Sequence, residues 1–345
     1  MGQNLIFLNG QETTPICSPA REQMHASWEE KRLEALYELV GAASNDLFIF
    51  TNSSAEAVNQ VLFSVFLEVS RKTGKCHFIT SALEDPPTLQ MLQRLETLGC
   101  FVKIAPCNVR GEIDVAKLEE LIGPRTALIS ISMAQGRTGV IQPVEEIALL
   151  AKKHKTLLHL EATHATGKYR FSFAELGADY LTFSGKHFHA APNTGGIFAK
   201  KSAPLVPLIL GKEETPDTSS LQTLCIAAQQ ALLFLDTFCL EMPRLRTKFE
   251  YEILARIPET NILFADSPRL PNTTLITFPR AHQEALHFFL KQRKIHAALG
   301  QPSDPCSLSF ALTRMNTEQE ILTAVQRIAE AVQELRAISD GVFHA

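Results

Sequence analysis

Short apolar runs alternate with longer runs of helical period through the first two thirds of the chain. Ile6–Leu8 reads as a strand closed by an Asn-Gly turn. Residues 19–42 put Trp28, Leu33, Leu36, Leu39 and Val40 at helical spacing and predict an amphipathic helix. Strands are predicted at Leu47–Phe50, His77–Thr80, Cys100–Ala105, Ala127–Ser132, Leu157–Leu160, Tyr180–Phe183 and Gly196–Ala199. Between them the spacing predicts helices from Glu56 to Arg71, then Pro87–Leu98, Val115–Leu121 and Pro143–His154. Strands alternating with helices imply a mainly parallel sheet covered on both faces. Ligands of such sheets bind outside the carboxyl ends of the strands. The loops after Phe50, Thr80, Ser132, Leu160 and Phe183 are therefore expected to converge on one cleft.

Two long helices, Leu221–Phe238 and Arg244–Ile257, are predicted next. After Pro258 the pattern becomes strand, helix, strand, helix at Leu275–Phe278, Ala285–Gln292, Leu308–Leu312 and Glu318–Ile338. This predicts a second, smaller α/β layer. The expected division is a segment 1–20 packing on the small domain, a large domain 21–258 and a small C-terminal domain 259–345. The tail from Ser339 reads as a frayed end.

The chain has 345 residues, enough for two domains, and its 45% apolar and 20% charged content is that of a globular protein. A net charge of −4 with no basic cluster gives no reason to expect nucleic acid. Seven cysteines, at 17, 76, 100, 107, 225, 239 and 306, show no CxxC spacing. That argues against a disulfide framework or a zinc site and for a reducing, cytoplasmic setting. No apolar run reaches the ~18 residues of a membrane span. The start, Met-Gly-Gln-Asn-Leu-Ile, reads neither as a signal peptide nor as a myristoylation site.

The richest polar chemistry lies between Leu157 and Gly196. Glu161 ends a buried strand, and Lys186 and His187 lie in a Ser-Gly-Lys-His-Phe-His turn after another. An acid at one strand end and an amine at the next can hold an aromatic cofactor between charges. Each also has a plainer reading: Glu161 as a strand-end acid bonded to nearby amides, Lys186 as paired with Glu161 or solvated. Asn52, Ser53 and Ser54 stand between a strand and a helix, where free N–H groups suit an anion, or where Ser53 or Ser54 simply caps the helix. His187 and His189 read as hydrogen-bonded turn residues rather than metal ligands, since no third ligand accompanies them.

In order, these segments resemble the cysteine desulfurases, the NifS-like branch of the class V aminotransferase family of pyridoxal-phosphate enzymes. Phe50 through Glu56 and Asn59 resembles the family's FTSGATEANN phosphate loop. Ile79 to Pro86 (ITSALEDP) resembles ITSAVEHP, and Ser130 to Pro143 resembles the NNExG-x-IQP segment. His159 to Lys168 resembles HTDAVQAVGK, and Phe183 to Gly196 resembles FSxHKFHGPKGxGG. Arg269 to Thr273 matches RLPNT, and Ser307 to Glu320 resembles SIRFSLGRxTTEEE. The resemblance implies the aspartate-aminotransferase-like α/β fold (fold type I of the pyridoxal-phosphate transferases), a dimer, and a pyridoxal 5'-phosphate site.

Carried over residue by residue, the resemblance puts Asn52, Ser53, Ser54, Asp85, Gln135, Glu161, His164, Ser184, Lys186 and Thr218 at cofactor-binding positions. It also shows departures. Glu161 replaces the Asp that pairs with the pyridine nitrogen, and His164 the Gln beside the ring hydroxyl. Asp85 replaces the ring-stacking His, and Gln135-Gly136-Arg137 the Asn-Glu pair. Ala55 lacks the family's Thr hydroxyl. Phe188-His189 fixes the register in which the His-Lys pair reads Lys186-His187, so His187 takes the place of the Schiff-base lysine. On an extended segment the two side chains would point to opposite sides. Ser309 replaces the substrate-carboxylate Arg, and residues 299–306 are all that remain of the persulfide-cysteine loop. Cys306 follows Asp304-Pro305, without the electropositive setting a nucleophile needs.

The expectation is a diverged desulfurase homologue whose chemistry is lost: a binding or regulatory protein for a small amino-acid-like ligand, forming a homodimer or pairing with an active homologue. The alternative is an active pyridoxal-phosphate transferase or lyase using Lys186, after a one-residue slip of the backbone.

Overall fold

The structure, a computed structural model, describes residues 6–22, 33–211 and 218–343. Two compact units divide the chain: 15–135 with 141–235, and 1–14 with 136–140 and 236–345. The expected boundaries near 20 and 258 both lie C-terminal to these cuts.

Strand β1 (Ile6–Phe7) belongs to the smaller unit. The larger unit is built on β2 (Leu47–Thr51), β3 (His77–Ser81), β4 (Phe101–Ala105), β5 (Thr126–Ser132), β6 (Leu157–Glu161), β7 (Tyr180–Ser184) and β8 (Gly195–Ala199). These form one sheet in the order β2-β8-β7-β6-β5-β3-β4, parallel except for β8. Central strands β5 and β7 are buried along their whole length, which is why they read as unbroken apolar-rich runs. Helices Ser54–Val65, Pro86–Glu96, Val115–Leu121 and Val144–His154 follow β2, β3, β4 and β5. The sheet separates two apolar clusters, one around Leu36, Ile131, Phe173 and Leu224, the other around Val61, Phe78, Leu95 and Tyr180. Because the strands run parallel, the loops after β2, β3, β5, β6 and β7 leave the same edge of the sheet.

Of the predicted helix over 19–42, the described residues show Ser18–Glu22 and Glu34–Val40 as helical, and Trp28 lies outside the described residues. The second piece ends at Gly41 in the left-handed conformation (φ 60°), a C-cap that glycine adopts without strain. The helix after β2 contains a π-helical stretch, Phe66–Ser70, before its last turn Arg71–Thr73.

The two predicted helices Leu221–Phe238 and Arg244–Ile257 are one, Thr218–Arg256, with Pro243 inside it. A mid-helix proline costs about 3 kcal/mol. Phe238, Met242, Leu245, Phe249 and Ile253, all buried, continue one apolar stripe past it and outweigh that cost. This helix holds an 18-residue window apolar and long enough to cross a membrane, half of it buried within the protein as in a core helix.

In the smaller unit, β9 (Asn261–Leu263), β10 (Thr273–Thr277), β12 (Ala298–Leu299) and β13 (Ser307–Ala311) form an antiparallel sheet, β12-β13-β10-β9. β1 pairs in parallel with β11 (Ile295–His296). Helices Gln283–Gln292 and Glu318–Phe343 pack on an apolar cluster that includes Phe278, Leu286, Phe310, Ile321 and Ile328.

Candidate functional site at the carboxyl edge of the central sheet

β6 carries a buried polar ladder into the site. His159 Nδ1 lies 2.8 Å from Ser130 Oγ on β5, and Nε2 lies 2.9 Å from Thr182 Oγ1 on β7. Burial lowers this imidazole to about 3, so it stays neutral and ties three neighbouring strands together.

Two residues on, Glu161 ends β6 and is 4% exposed. Its Oε1 accepts from the Thr163 N–H at 3.1 Å and from the Thr163 hydroxyl. Its Oε2 is buried and has no hydrogen-bond partner among the described residues. Burial, then the charge of Asp85, pushes this carboxyl up to about 8. The strand-end-acid reading is thus half fulfilled, with one oxygen held by the turn and the other left over. Lys168 is also buried, which lowers its amine to about 8 against the pull of Glu161.

A second buried acid, Glu84, was not among the expected site residues. Ser81 Oγ and Ser132 Oγ each donate to it at 2.6 Å, from the ends of β3 and β5. Burial raises it to about 7, although both hydroxyls favour the ionised form. Its sequence signal was available: it is the acid of the Ser-Ala-Leu-Glu-Asp-Pro motif, three residues after Ser81.

Asp85 and His164 meet directly, with Oδ2 and Nε2 2.8 Å apart. His164 is 6% exposed and its Nδ1 has no partner among the described residues. The His187 ring stands edge-on to His164, centroids 5.1 Å apart at 81°. The loops after β3, β6 and β7 are thus joined through Asp85, His164 and His187, as the convergence of those loops requires.

Lys186 and His187 do not lie on an extended segment. Gly185–Phe188 is one turn of 3₁₀ helix, so successive side chains diverge by roughly 120° rather than 180°. His187 is buried and Lys186 is half-buried. Gly185 makes the turn possible, since a Cβ there would lie 2.4 Å from Thr194 Oγ1 and 2.5 Å from Leu224 Cδ1. Ser184 ends β7, its hydroxyl 3.4 Å from the Thr194 carbonyl. His189 closes the turn at φ 76°, and its Nδ1–H donates to the Pro15 carbonyl at 2.7 Å. Among the described residues no His, Cys, Asp and Glu side chains are grouped to hold a metal.

Ser53 caps the helix after β2: its Oγ accepts the Glu56 N–H at 3.1 Å, and Glu56 Oε2 accepts the Asn52 N–H at 2.9 Å. Ser54 is the first residue of that helix. Gln135 is half-buried in the loop after β5. Thr218 begins the long helix, and its side chain lies outside the description. In the smaller unit, the hydroxyl of Ser309 lies 2.5 Å from Gln11 Oε1 and 2.6 Å from the Arg137 carbonyl. Cys306 is half-buried in a turn, its N–H bonded to Asp304 Oδ1 at 3.0 Å.

Two ends of this arrangement suit pyridoxal phosphate differently. The leftover oxygen of Glu161 fits a ring nitrogen, with one proton shared between the two. The other end does not fit. His187, which the resemblance puts in the lysine register, packs on His164, and His164 is already paired with Asp85.

Residues 16–231 match the family model for class-V aminotransferases. The chain is similar to a cysteine desulfurase of Nostoc sp., 29% identical over 333 residues covering 89% of this chain and 82% of the relative. It is also similar to the cysteine desulfurase NifS of Azotobacter vinelandii, 27% identical over 90% of this chain and 83% of that one. Among solved structures, a NifS-like protein superposes with a TM-score of 0.89 at 25% identity, over 96% of this chain and 100% of the other. The apo cysteine desulfurase of Thermococcus onnurineus NA1 shares the fold, with a TM-score of 0.83 at 17% identity, 96% of this chain and 95% of that chain being covered. The match to the family model covers well over half of the sequence, and the chain belongs to the class-V aminotransferases.

Proposed function

We propose that this chain is a class-V aminotransferase homologue that has given up desulfurase chemistry and uses the retained pocket to bind a small ligand. One observation carries the reading: the position that needs a lysine holds His187, stacked edge-on against an Asp85-bound His164. An imidazole cannot form an imine with an aldehyde. The remaining losses agree with it. Ser309 is a neutral hydroxyl where a cation would capture a carboxylate, and Cys306 is bound into a turn.

The ligand class follows from the two unsatisfied buried atoms. Glu161 Oε2, on a carboxyl that burial raises to about 8, offers a proton at neutral pH, and His164 Nδ1 is likewise buried without a partner among the described residues. A small heteroaromatic or amino-acid-like molecule with polar atoms on two sides satisfies both. In this reading the chain works as a subunit, with itself or with an active homologue. Leu233 and Leu240, 69% and 74% exposed on the long helix, support such pairing.

Absorbance spectroscopy tests the proposal. The purified protein is expected to remain colourless after incubation with pyridoxal phosphate, and to release no sulfide from cysteine. A yellow lysine adduct that disappears in Lys186→Ala would overturn it in favour of the active-enzyme alternative.

A further inference from the structure

At the opposite, amino edge of the sheet, three neighbouring strand starts bring together two thiols and a cation. β4, β3 and β5 are adjacent, and His77 is in register with Phe101 on one side and Thr126 on the other. The residues just before these are Cys100, Cys76 and Arg125. The ladder extends to them: the Phe101 N–H donates to the Cys76 carbonyl at 2.9 Å, and the His77 N–H to the Arg125 carbonyl at 3.0 Å.

Registered residues on parallel strands point to the same face. Cys100 belongs to the apolar cluster of Phe78 and Leu95, and Cys76 packs on that same cluster. Neighbouring strands lie about 4.8 Å apart, within the roughly 4.4–6.8 Å Cα separation that a disulfide spans. Both thiols are free. Their environments differ. Cys76 is half-buried, and Arg125 Nη2 donates to its sulfur at 2.8 Å. Lys103 and Arg125 also make this edge electropositive enough to oppose protonation of His77, whose burial does so first. Cys100 is 5% exposed.

We propose that Cys76 and Cys100 are an oxidant-reactive thiol pair, closing a cross-strand disulfide when the protein meets hydrogen peroxide. The Cys76 sulfur, with Arg125 Nη2 2.8 Å away, attacks one peroxide oxygen and loses its thiol proton as it does so. The O–O bond breaks, a sulfenic acid forms on Cys76, and the leaving hydroxide takes a proton to become water. The Cys100 thiol then attacks the Cys76 sulfur. The S–O bond breaks, the thiol proton leaves with the hydroxyl as a second water, and the S–S bond forms. Two thiols are oxidised by two electrons and one peroxide is reduced. The order of the steps follows from burial, which raises the Cys100 thiol to about 11 and leaves it the second, resolving partner. The closed pair would staple β3 to β4, the outermost strand of the sheet.

The test is a peroxide titration of the full chain, followed by peptide mapping under non-reducing conditions. A Cys76–Cys100 linked peptide is expected, two hydrogens lighter than its parts and reversed by dithiothreitol. Cys76, with Arg125 at its sulfur, should be consumed at least about tenfold faster than Cys239 or Cys306, which are also half-buried. Arg125→Gln should slow that consumption, and Cys76→Ser should abolish the link. Cys100→Ala should leave a sulfenic acid on Cys76 that dimedone traps. The wild-type map stands alone if that core variant does not fold. Absence of the linked peptide, or prior oxidation of Cys239 or Cys306, would overturn the proposal.

Discussion

Asp85 and His164 lie 79 residues apart in sequence and 2.8 Å apart in space, carboxylate to imidazole. The resemblance to the desulfurases implies a histidine at 85 and a glutamine at 164, so the two departures it points to fall on residues in contact. His164 is almost wholly buried, so an unpartnered Nε2 would carry the full cost of desolvation.

Asp85→His and His164→Gln are each expected to destabilise the protein by about 1–2 kcal/mol. The Asp85→His, His164→Gln double variant should cost less than the two single changes together, by at least about 0.5 kcal/mol. Urea unfolding of the four proteins measures this. Strict additivity would mean that the two substitutions are unrelated.

Stability should fall as the solution is made alkaline from pH 5 to pH 8. Glu161 rises from 4.5 to about 8 on folding and Glu84 to about 7, both chiefly through burial. Across that window the native state holds protons that the unfolded chain has released, so the unfolded state gains as pH rises. The combined effect is on the order of a few kcal/mol. Lys168, lowered from 10.5 to about 8, works in the opposite sense, but only above pH 8. Glu161→Gln should flatten the decline between pH 5 and 8. A variant with the wild-type slope would show that Glu161 is ionised throughout.

Gly185→Ala should destabilise by about 1–3 kcal/mol through overpacking, with backbone movement at the Lys186-His187 turn. Its φ is not the difficulty. The new methyl has nowhere to go, between Thr194 Oγ1 at 2.4 Å, Leu224 Cδ1 at 2.5 Å and Ala190 Cβ at 3.0 Å. Thermal unfolding gives the cost. Near-UV dichroism would report loosening of the neighbouring Phe183–Phe188 pair, whose centroids lie 6.0 Å apart.

The seven strands of the central sheet were legible in the sequence because each is a short apolar run bounded by turn residues. What escaped was set by long-range packing. Pro243 broke the local helical signal, yet burial on both sides of it keeps Thr218–Arg256 continuous. Short strands such as Ile295–His296 exist only through a distant partner, here Ile6–Phe7. Motif register singles out Glu161, Asp85, His164 and His187 as candidates, but no local pattern shows that the last three touch. Glu84 owes its proton affinity to enclosure by Ser81 and Ser132, on strands that adjoin only after folding. The sequence suggests an extended Lys186-His187 segment, whereas Gly185 and the Thr194 contact wind it into a 3₁₀ helix.

Exchanging the two residues, K186H with H187K, separates the register reading from the view that the pocket as a whole has changed. If His187 occupies the lysine position, the double variant places an amine against His164. It should then take up pyridoxal phosphate and turn yellow, while the parent stays colourless under the same conditions. Sulfide release from cysteine should remain at background in both. Ser309 still provides no cation, and Cys306 still sits in a turn beside the Asp304 carboxylate, an unfavourable setting for a thiolate nucleophile. Reduction with borohydride followed by peptide mapping would locate the adduct at residue 187. A double variant that stays colourless would mean that the Asp85–His164 pair, and not the lysine order alone, closes the site to the cofactor. Adding Asp85→His and His164→Gln to it should then restore the colour.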